Sequence, residues 1–230
     1  DRAMYRIGES YLKGKQYREA IEAYQRLVDG YADTEFLSRA YFGMAEAYNR
    51  LNQHEKAVST LEVLKKLSKD RDLKDAVFYR QGWLYLEMDR WQAARETFDK
   101  ISPQNRQTYR LKQLSEKLSK REALRTKSPT VAGVLAVLPG AGHLYCGRAQ
   151  DALMVFTLNG AMIWAAYEAF DNDNEVLGGV ITFFELGLYS GNIYSAANCA
   201  HKFNRRQRNG FLQYLKDHSV LKTSLGRDVV

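Results

Sequence analysis

The sequence predicts an all-α chain in two parts: a solenoid of three helix pairs closed by a capping helix, then a transmembrane helical hairpin preceded by a re-entrant or interfacial helix. Three observations predict it. Apolar and small residues recur every 37 positions through the first part of the chain, a basic stretch follows, and positions 149–201 contain no Lys or Arg. The expected division is 1–104 for the repeats, 105–127 for a basic capping or linker helix, 128–204 for a membrane module and 205–230 for a basic tail.

The repeat is read first, because a missed internal period misassigns a whole fold. Tyr11, Tyr48 and Tyr85 share one column, and Ala20, Ala57 and Ala94 another. So do Tyr24, Leu61 and Phe98; Leu27, Leu64 and Ile101; and Tyr17, His54 and Trp91. Within a unit the apolar positions fall three and four apart, as one face of each of two helices requires. A short polar break such as residues 13–16 separates the two. The small residues Gly8, Ala45 and Gly82 let the second helix approach the first, and the alanine column does the same from the other side.

These residues resemble the tetratricopeptide repeat (TPR) family, whose pattern is a Leu-Gly pair, a Tyr, an Ala, an aromatic and a closing Pro. The likeness covers roughly residues 3–103. It departs from the pattern at Met44-Ala45 and Gln81-Gly82, and only Pro103 supplies the proline. The period of 37 exceeds the usual repeat of about 34 residues, so a few extra residues are expected between units.

A stack of helix pairs leaves its last apolar face uncovered unless something caps it. Leu111, Leu114, Leu118 and Leu124 give residues 105–125 the spacing of such a cap. The opposite face carries Arg110, Lys112, Lys117, Lys120 and Arg121, read either as a solvated face or as a lipid contact. Charge is local throughout: residues 105–127 carry a net +6 and residues 201–230 a net +5, out of +7 for the whole chain. Nucleic acid would accept such stretches, but their place beside apolar segments favours anionic lipid head groups, with Lys117, Lys120, Arg121, Arg205 and Arg206 as contacts. No nucleic acid partner is expected.

The TPR resemblance implies a concave groove lined by the first helix of each pair. Tyr5, Phe42 and Tyr79 would form one groove column, with Glu9, Glu46 and Trp83 four residues on. Such a groove is aromatic and mildly acidic, suited to a peptide with apolar anchors and a basic residue; the same aromatics could instead pack between helices. It lacks the Lys and Asn columns of carboxylate-clamp repeats.

In the apolar half, residues 129–146 are interrupted at Pro139-Gly140, too soon for a span, which needs about 20 apolar residues. Residues 151–170 and 176–200 are long enough, and they have almost no polar face to wet. Basic residues flank this region on both sides, whereas the turn between the spans holds Asp171, Asp173 and Glu175. Two spans put both basic flanks on one side, the cytoplasmic one by charge. Residues 129–146 are then re-entrant or interfacial. Gly187 and Gly191 make a small-xxx-small pattern for close helix contact. Glu185, with Asn192 on the same helix, is the sharpest oddity, since a carboxyl inside a membrane needs a partner, a proton or water. His143, Asn159 and Arg148 are its candidate partners.

The run SPTVAGVLAVLPGAGHLYCGRAQDAL, with YSGNIYSAANCAHKFN further on, is similar to the membrane module of bacterial TPR proteins of unknown function. Its core has the form Pro-Gly-x-Gly-x-x-Tyr-x-Gly-Arg, here Pro139, Gly140, Gly142, Tyr145, Gly147 and Arg148. The resemblance implies an N-terminal signal and genes placed near membrane-insertion efficiency factors, and it carries no known activity.

No nucleophile elbow, phosphate loop or zinc spacing is present, and the four histidines are scattered. Cys146 and Cys199 stand without a second ligand at metal spacing. No enzyme, no metal and no cofactor are therefore expected. The expected function is a membrane-anchored TPR scaffold that binds proteins or peptides, in the assembly or insertion of bacterial envelope proteins, with a homo-oligomer possible. The alternative is a subunit of an oligomeric channel or transporter whose polar path is lined by Glu185 and Asn192. Inner-membrane placement is expected, with the repeats cytoplasmic by flanking charge, or periplasmic if a signal peptide precedes Asp1.

Overall fold

The computed structural model describes residues 1–31 and 33–220. Among these the chain is helical with no strand, and it falls into two units, residues 1–119 with 215–220, and residues 120–214. The first unit opens with three helix pairs: α1 (Arg2–Lys13) with α2 (Tyr17–Gly30), α3 (Leu37–Arg50) with α4 (His54–Leu67), and α5 (Arg71–Glu87) with α6 (Trp91–Asp99). The column Tyr17, His54 and Trp91 is thus the first residue of each second helix.

Each pair closes through the same turn. Lys15, Asn52 and Asp89, again 37 apart, sit at φ of 60°, 57° and 63°. The following N–H groups of Gln16, Gln53 and Arg90 donate to the carbonyls of Tyr11, Tyr48 and Tyr85 at 2.9, 2.9 and 2.8 Å. This is a Schellman ending: one left-handed residue lets the chain turn back and satisfies carbonyls that the helix end leaves open.

Within the pairs, an aromatic ring rests on a residue with no side chain. A Cβ on Gly8 would lie 2.6 Å from the Tyr24 ring, and one on Gly82 would lie 2.3 Å from Phe98. Tyr24 also meets Gly43 of α3 on its other side, where a Cβ would come within 2.5 Å. The second pair has the larger Ala45 in the glycine column and the smaller Leu61 in the ring column, so the total volume is kept across repeats. Ala20, Leu27, Ala40, Met44, Ala57, Leu61 and Leu64 complete a continuous core.

The cap is shorter than the sequence suggests. Pro103 opens α7 (Pro103–Arg106), Arg110 takes φ of 51°, and a second helix, α8 (Leu111–Ser119), follows before a 3-10 turn at Lys120–Ala123. Proline is well suited to a helix's first position, and here it begins a new helix instead of extending one. Leu111, Leu114 and Leu118 are buried as expected of a cap. The buried Asp75 of α5 fixes the start of α7: it accepts from the Ser102 N–H at 3.1 Å, from the Ser102 hydroxyl, and from Asn105 Nδ2 at 2.8 Å. Burial alone would raise this carboxyl, but those hydrogen bonds from Ser102 and Asn105 hold it below its ordinary range.

The second unit holds α9 (Pro129–Leu135), α10 (Ala141–Tyr145), α11 (Ala149–Asp171) and most of α12 (Glu175–Asp217). The 43 residues of α12 run well past the expected end of the membrane module. No proline interrupts residues 192–217 and Gly210 is their one glycine, so residues 205–217 continue the helix and are not a separate tail. Residues 221–230 of the expected tail lie outside the described residues.

Replacing Gly82 by Ala is expected to destabilise the first unit by about 1–3 kcal/mol, because the added methyl overpacks a buried ring. Gly30→Ala, at a site with open space, should lower the midpoint of urea unfolding far less. Equal midpoints for the two variants would contradict the ring-on-glycine account.

Candidate interaction surface and apolar hairpin

The first helices of the three pairs bring the expected groove columns into register, but the columns differ along their length. Tyr5 and Phe42 are half-buried, whereas Tyr79 and Trp83 are buried outright. Tyr79 stacks on Tyr109 at 4.4 Å between centroids and tilts against Phe98, and Trp83 meets both Tyr79 and Phe98 edge-on. The turn between α7 and α8 supplies Tyr109 and so roofs the third repeat. Also in this unit, the Lys216 ammonium pairs with Glu87 at the end of α5. Tyr5 stacks on Phe36 at 5.0 Å and leans on Tyr24.

The acidic column is already engaged. Lys13 reaches Glu9 at 3.0 Å, and Glu46 takes Arg50 at 2.7 Å and Arg80 at 3.9 Å. A cleft of about 430 Å³ opens beside Tyr5, lined by Arg2, Arg6, Glu9, Glu35, Phe36 and Arg39. Arg2 and Arg39 are 37 residues apart, a groove column that the sequence reading passed over although the period marks it. The groove's open end is therefore cationic, where a mildly acidic one was expected. A larger cleft of about 960 Å³ lies between α6 and α8. Its Arg95 and Arg106 are occupied as caps, donating to the carbonyls of Leu118, Ile101 and Asp99.

A family model described as Tetratricopeptide repeat matches residues 2–34, 39–70 and 76–102. Residues 2–102 form tetratricopeptide repeats. No curated protein and no solved structure matches the chain. TPR repeats generally bind other proteins, which makes the groove of α1, α3 and α5 the natural place to look for a partner site.

Beyond the TPR repeats, the two stretches of the second motif, far apart in sequence, meet in space. Pro139 lies in the break between α9 and α10, and Gly140 beside it takes φ of 87° with its backbone against the Ala152 carbonyl, where a Cβ would fall at 2.3 Å. Gly142 is pressed between the Ala132 carbonyl and Ala196, at 2.3 and 2.7 Å from where a Cβ would be. The Tyr145 hydroxyl accepts from the Ser128 N–H at 3.1 Å, at the start of α9, and Lys127 lies over its ring at 4.5 Å. Gly147, at φ of 79°, ends α10, and Arg148 pairs with Asp151 in the first turn of α11. From α12, the Tyr189 hydroxyl donates to the Val137 carbonyl at 2.6 Å and Ser195 lies 3.2 Å from His143. Asn204 clamps the Lys127 backbone, accepting from its N–H and donating to its carbonyl, both at 2.8 Å. Gly140, Gly142 and Tyr145 are thus packed against backbone or neighbouring side chains, Gly147 has open space around it, and Ala132, Cys146, Cys199 and Ala200 form a small-residue core. Ser195 and Asn204 both lie in the YSGNIYSAANCAHKFN run, but nothing in the sequence tied them to His143 and Lys127.

The long helices invert the usual distribution of polarity. Both α11 and α12 have an apolar window long enough to cross a membrane, and only 11% of each window is buried. Phe156, Trp164, Phe183, Phe184 and Leu186 point outward, while Asn159 (0% exposed) and Glu185 (7%) lie on the buried stripes. The partners expected for Glu185 do not reach it: His143 is with Ser195, Arg148 with Asp151, and Asn159 donates to the Val155 carbonyl at 2.8 Å. Ser195 is ten residues from Glu185 along α12, roughly 15 Å, which takes His143 out of range. Among the described residues both Glu185 oxygens, Asn159 Oδ1 and Asn192 Nδ2 are without a hydrogen-bond partner. Of the basic residues proposed for lipid, Lys120, Arg121, Arg205 and Arg206 are exposed and Lys117 is half-buried.

Gly142→Leu is expected to lower the thermal midpoint of the purified protein, because a side chain there meets backbone that no rotamer change can clear. Gly160→Ala, with nothing within 4 Å of its Cβ, should leave the midpoint unchanged. A Gly142→Leu protein that melts with wild type would remove the tight α9–α10–α12 contact from this account.

Proposed function

We propose that this protein is a membrane-anchored TPR scaffold, held in a bacterial inner membrane by the α11–α12 hairpin and serving the assembly or insertion of other envelope proteins. The observation that carries the membrane part is the inverted hairpin. Large apolar side chains cover the outside and polar ones the inside, an arrangement costly in water and favourable in hydrocarbon. The short helices α9 and α10 do not span; they lie at the interface or re-enter, wedged against α12 by Gly142. Lys120, Arg121, Arg205 and Arg206, with Lys117, contact anionic head groups.

The TPR groove receives the partner protein, through Tyr5, Glu9, Phe42 and Glu46, with Tyr79 and Trp83 giving the floor of the third repeat its rigidity. The chain acts by binding and not by catalysis. A second reading, an oligomeric channel or transporter subunit with Glu185 and Asn192 on a polar path, is favoured by one observation, the unpartnered Glu185 carboxyl. Glu185 is buried on α12, so such a path would run along the covered face of that helix.

Two experiments test the scaffold reading. Single cysteines at Asp33→Cys and Asn172→Cys, with Cys146 and Cys199 replaced by Ala, are exposed in intact cells to a membrane-impermeant thiol reagent. Labelling at only one of the two positions is expected, at 172 for cytoplasmic repeats and at 33 for secreted ones. Labelling at both or at neither would rule out the two-span hairpin. Second, a Tyr5→Ala, Phe42→Ala double variant that keeps its helical content should lose the proteins that co-purify with wild type. Undiminished co-purification would take the partner site away from this column.

A further inference from the structure

The open end of the TPR groove has a chemistry that the scaffold reading leaves unspecified. Its cleft of about 430 Å³ brings together Arg2 and Arg6, one turn apart on α1, and Arg39 in the first turn of α3. None of the three enters an ion pair among the described residues. Of the carboxylates nearby, Glu9 is held by Lys13 at 3.0 Å and Asp1 caps α1 and accepts from Thr34 Oγ1 at 2.8 Å, which leaves Glu35 facing three guanidinium groups in the lining of the cleft. The stacked rings of Tyr5 and Phe36 form an aromatic wall beside them. Elsewhere along the groove Glu46 is neutralised by Arg50 and Arg80, and the third repeat is roofed by Tyr109.

We infer that this cleft is the partner site of the scaffold, and that it recognises an acidic peptide segment whose Asp or Glu carboxylates pair with Arg2, Arg6 and Arg39 while a neighbouring apolar side chain packs on Tyr5 and Phe36. Arginine suits this task, since its planar fork donates two parallel hydrogen bonds to one carboxylate. Uncompensated charge at the open end steers an oppositely charged partner and rejects a like-charged one. The column Arg2 and Arg39 repeats the same donor at the helix-pair spacing, which fits an extended peptide running across the first two repeats.

The inference rests on the groove being the partner site, and the test separates the two. The full chain in lipid nanodiscs is titrated with a fluorescein-labelled peptide alternating glutamate and phenylalanine, and with its lysine-for-glutamate counterpart. The glutamate probe is expected to bind and to weaken as salt screens the pairing. It should lose about tenfold in affinity in Arg6→Glu, Arg39→Glu, and less in Arg6→Gln, a milder change that guards against misfolding. The lysine probe should not bind wild type. If the double variant binds the glutamate probe as wild type does, the inference is overturned. If the lysine probe binds instead and Phe42→Ala abolishes it, the groove reading stands and the acidic-partner inference falls. If neither probe binds, both fall.

Discussion

Close approach of helices through residues that lack a side chain is the constraint on which both units depend. In the TPR unit the space left by Gly8 and Gly82 is taken by a ring from the second helix of the same pair, Tyr24 or Phe98. In the second unit Gly142 brings backbone against backbone, at the Ala132 carbonyl. The difference follows from what drives each contact. Burying a large ring draws on the removal of apolar surface from water, so a glycine facing an aromatic is a productive pair in the first unit. Where apolar side chains face outward, contacts gain through the close fit of small residues, as at Ala132 and Ala196, and through hydrogen bonds, as at Tyr189 and Asn204.

Electrostatics along the groove depends on which charges are already spoken for. Glu9 and Glu46 read as an acidic column only while their neighbours are ignored. One turn along the same helices stand Lys13 and Arg50, at the i and i+4 spacing that brings side chains together. Once those pairs form, the unmatched groups are the arginines at the start of α1 and α3. The sign of the surface is thus decided by local helix spacing and not by the count of residues in a column.

The sequence made the repeats legible because their signal is additive: several columns in phase locate the three helix pairs and much of their buried faces. The hairpin was equally legible, since uninterrupted apolar composition needs no knowledge of contacts. What was not legible depends on pairings between distant positions. Nothing near Tyr79 in sequence announces that Tyr109 will cover it, and nothing near Lys127 announces Asn204. The cap was read as one helix because leucine spacing runs on from Leu118 to Leu124, past the end of α8 at Ser119, and because nothing in residues 105–110 marks the left-handed backbone of Arg110 that breaks it. Where α12 ends was misread because a change from apolar to basic composition was taken as a structural boundary, and a helix does not stop for a change in polarity. The period did contain the Arg2 and Arg39 column, but attention to aromatic and acidic positions left it unused.

The three equivalent turns have one further consequence. Each needs a left-handed residue, and the chain supplies lysine at 15, asparagine at 52 and aspartate at 89. Asparagine and aspartate tolerate that backbone, whereas for most other residues it costs roughly 1–2 kcal/mol. Of the three turns, the one at Lys15 is therefore closed against the greatest local strain. The cationic cleft lies on that same first pair, so a ligand that bridges α1 and α3 would brace the pair whose own turn is the costliest to close.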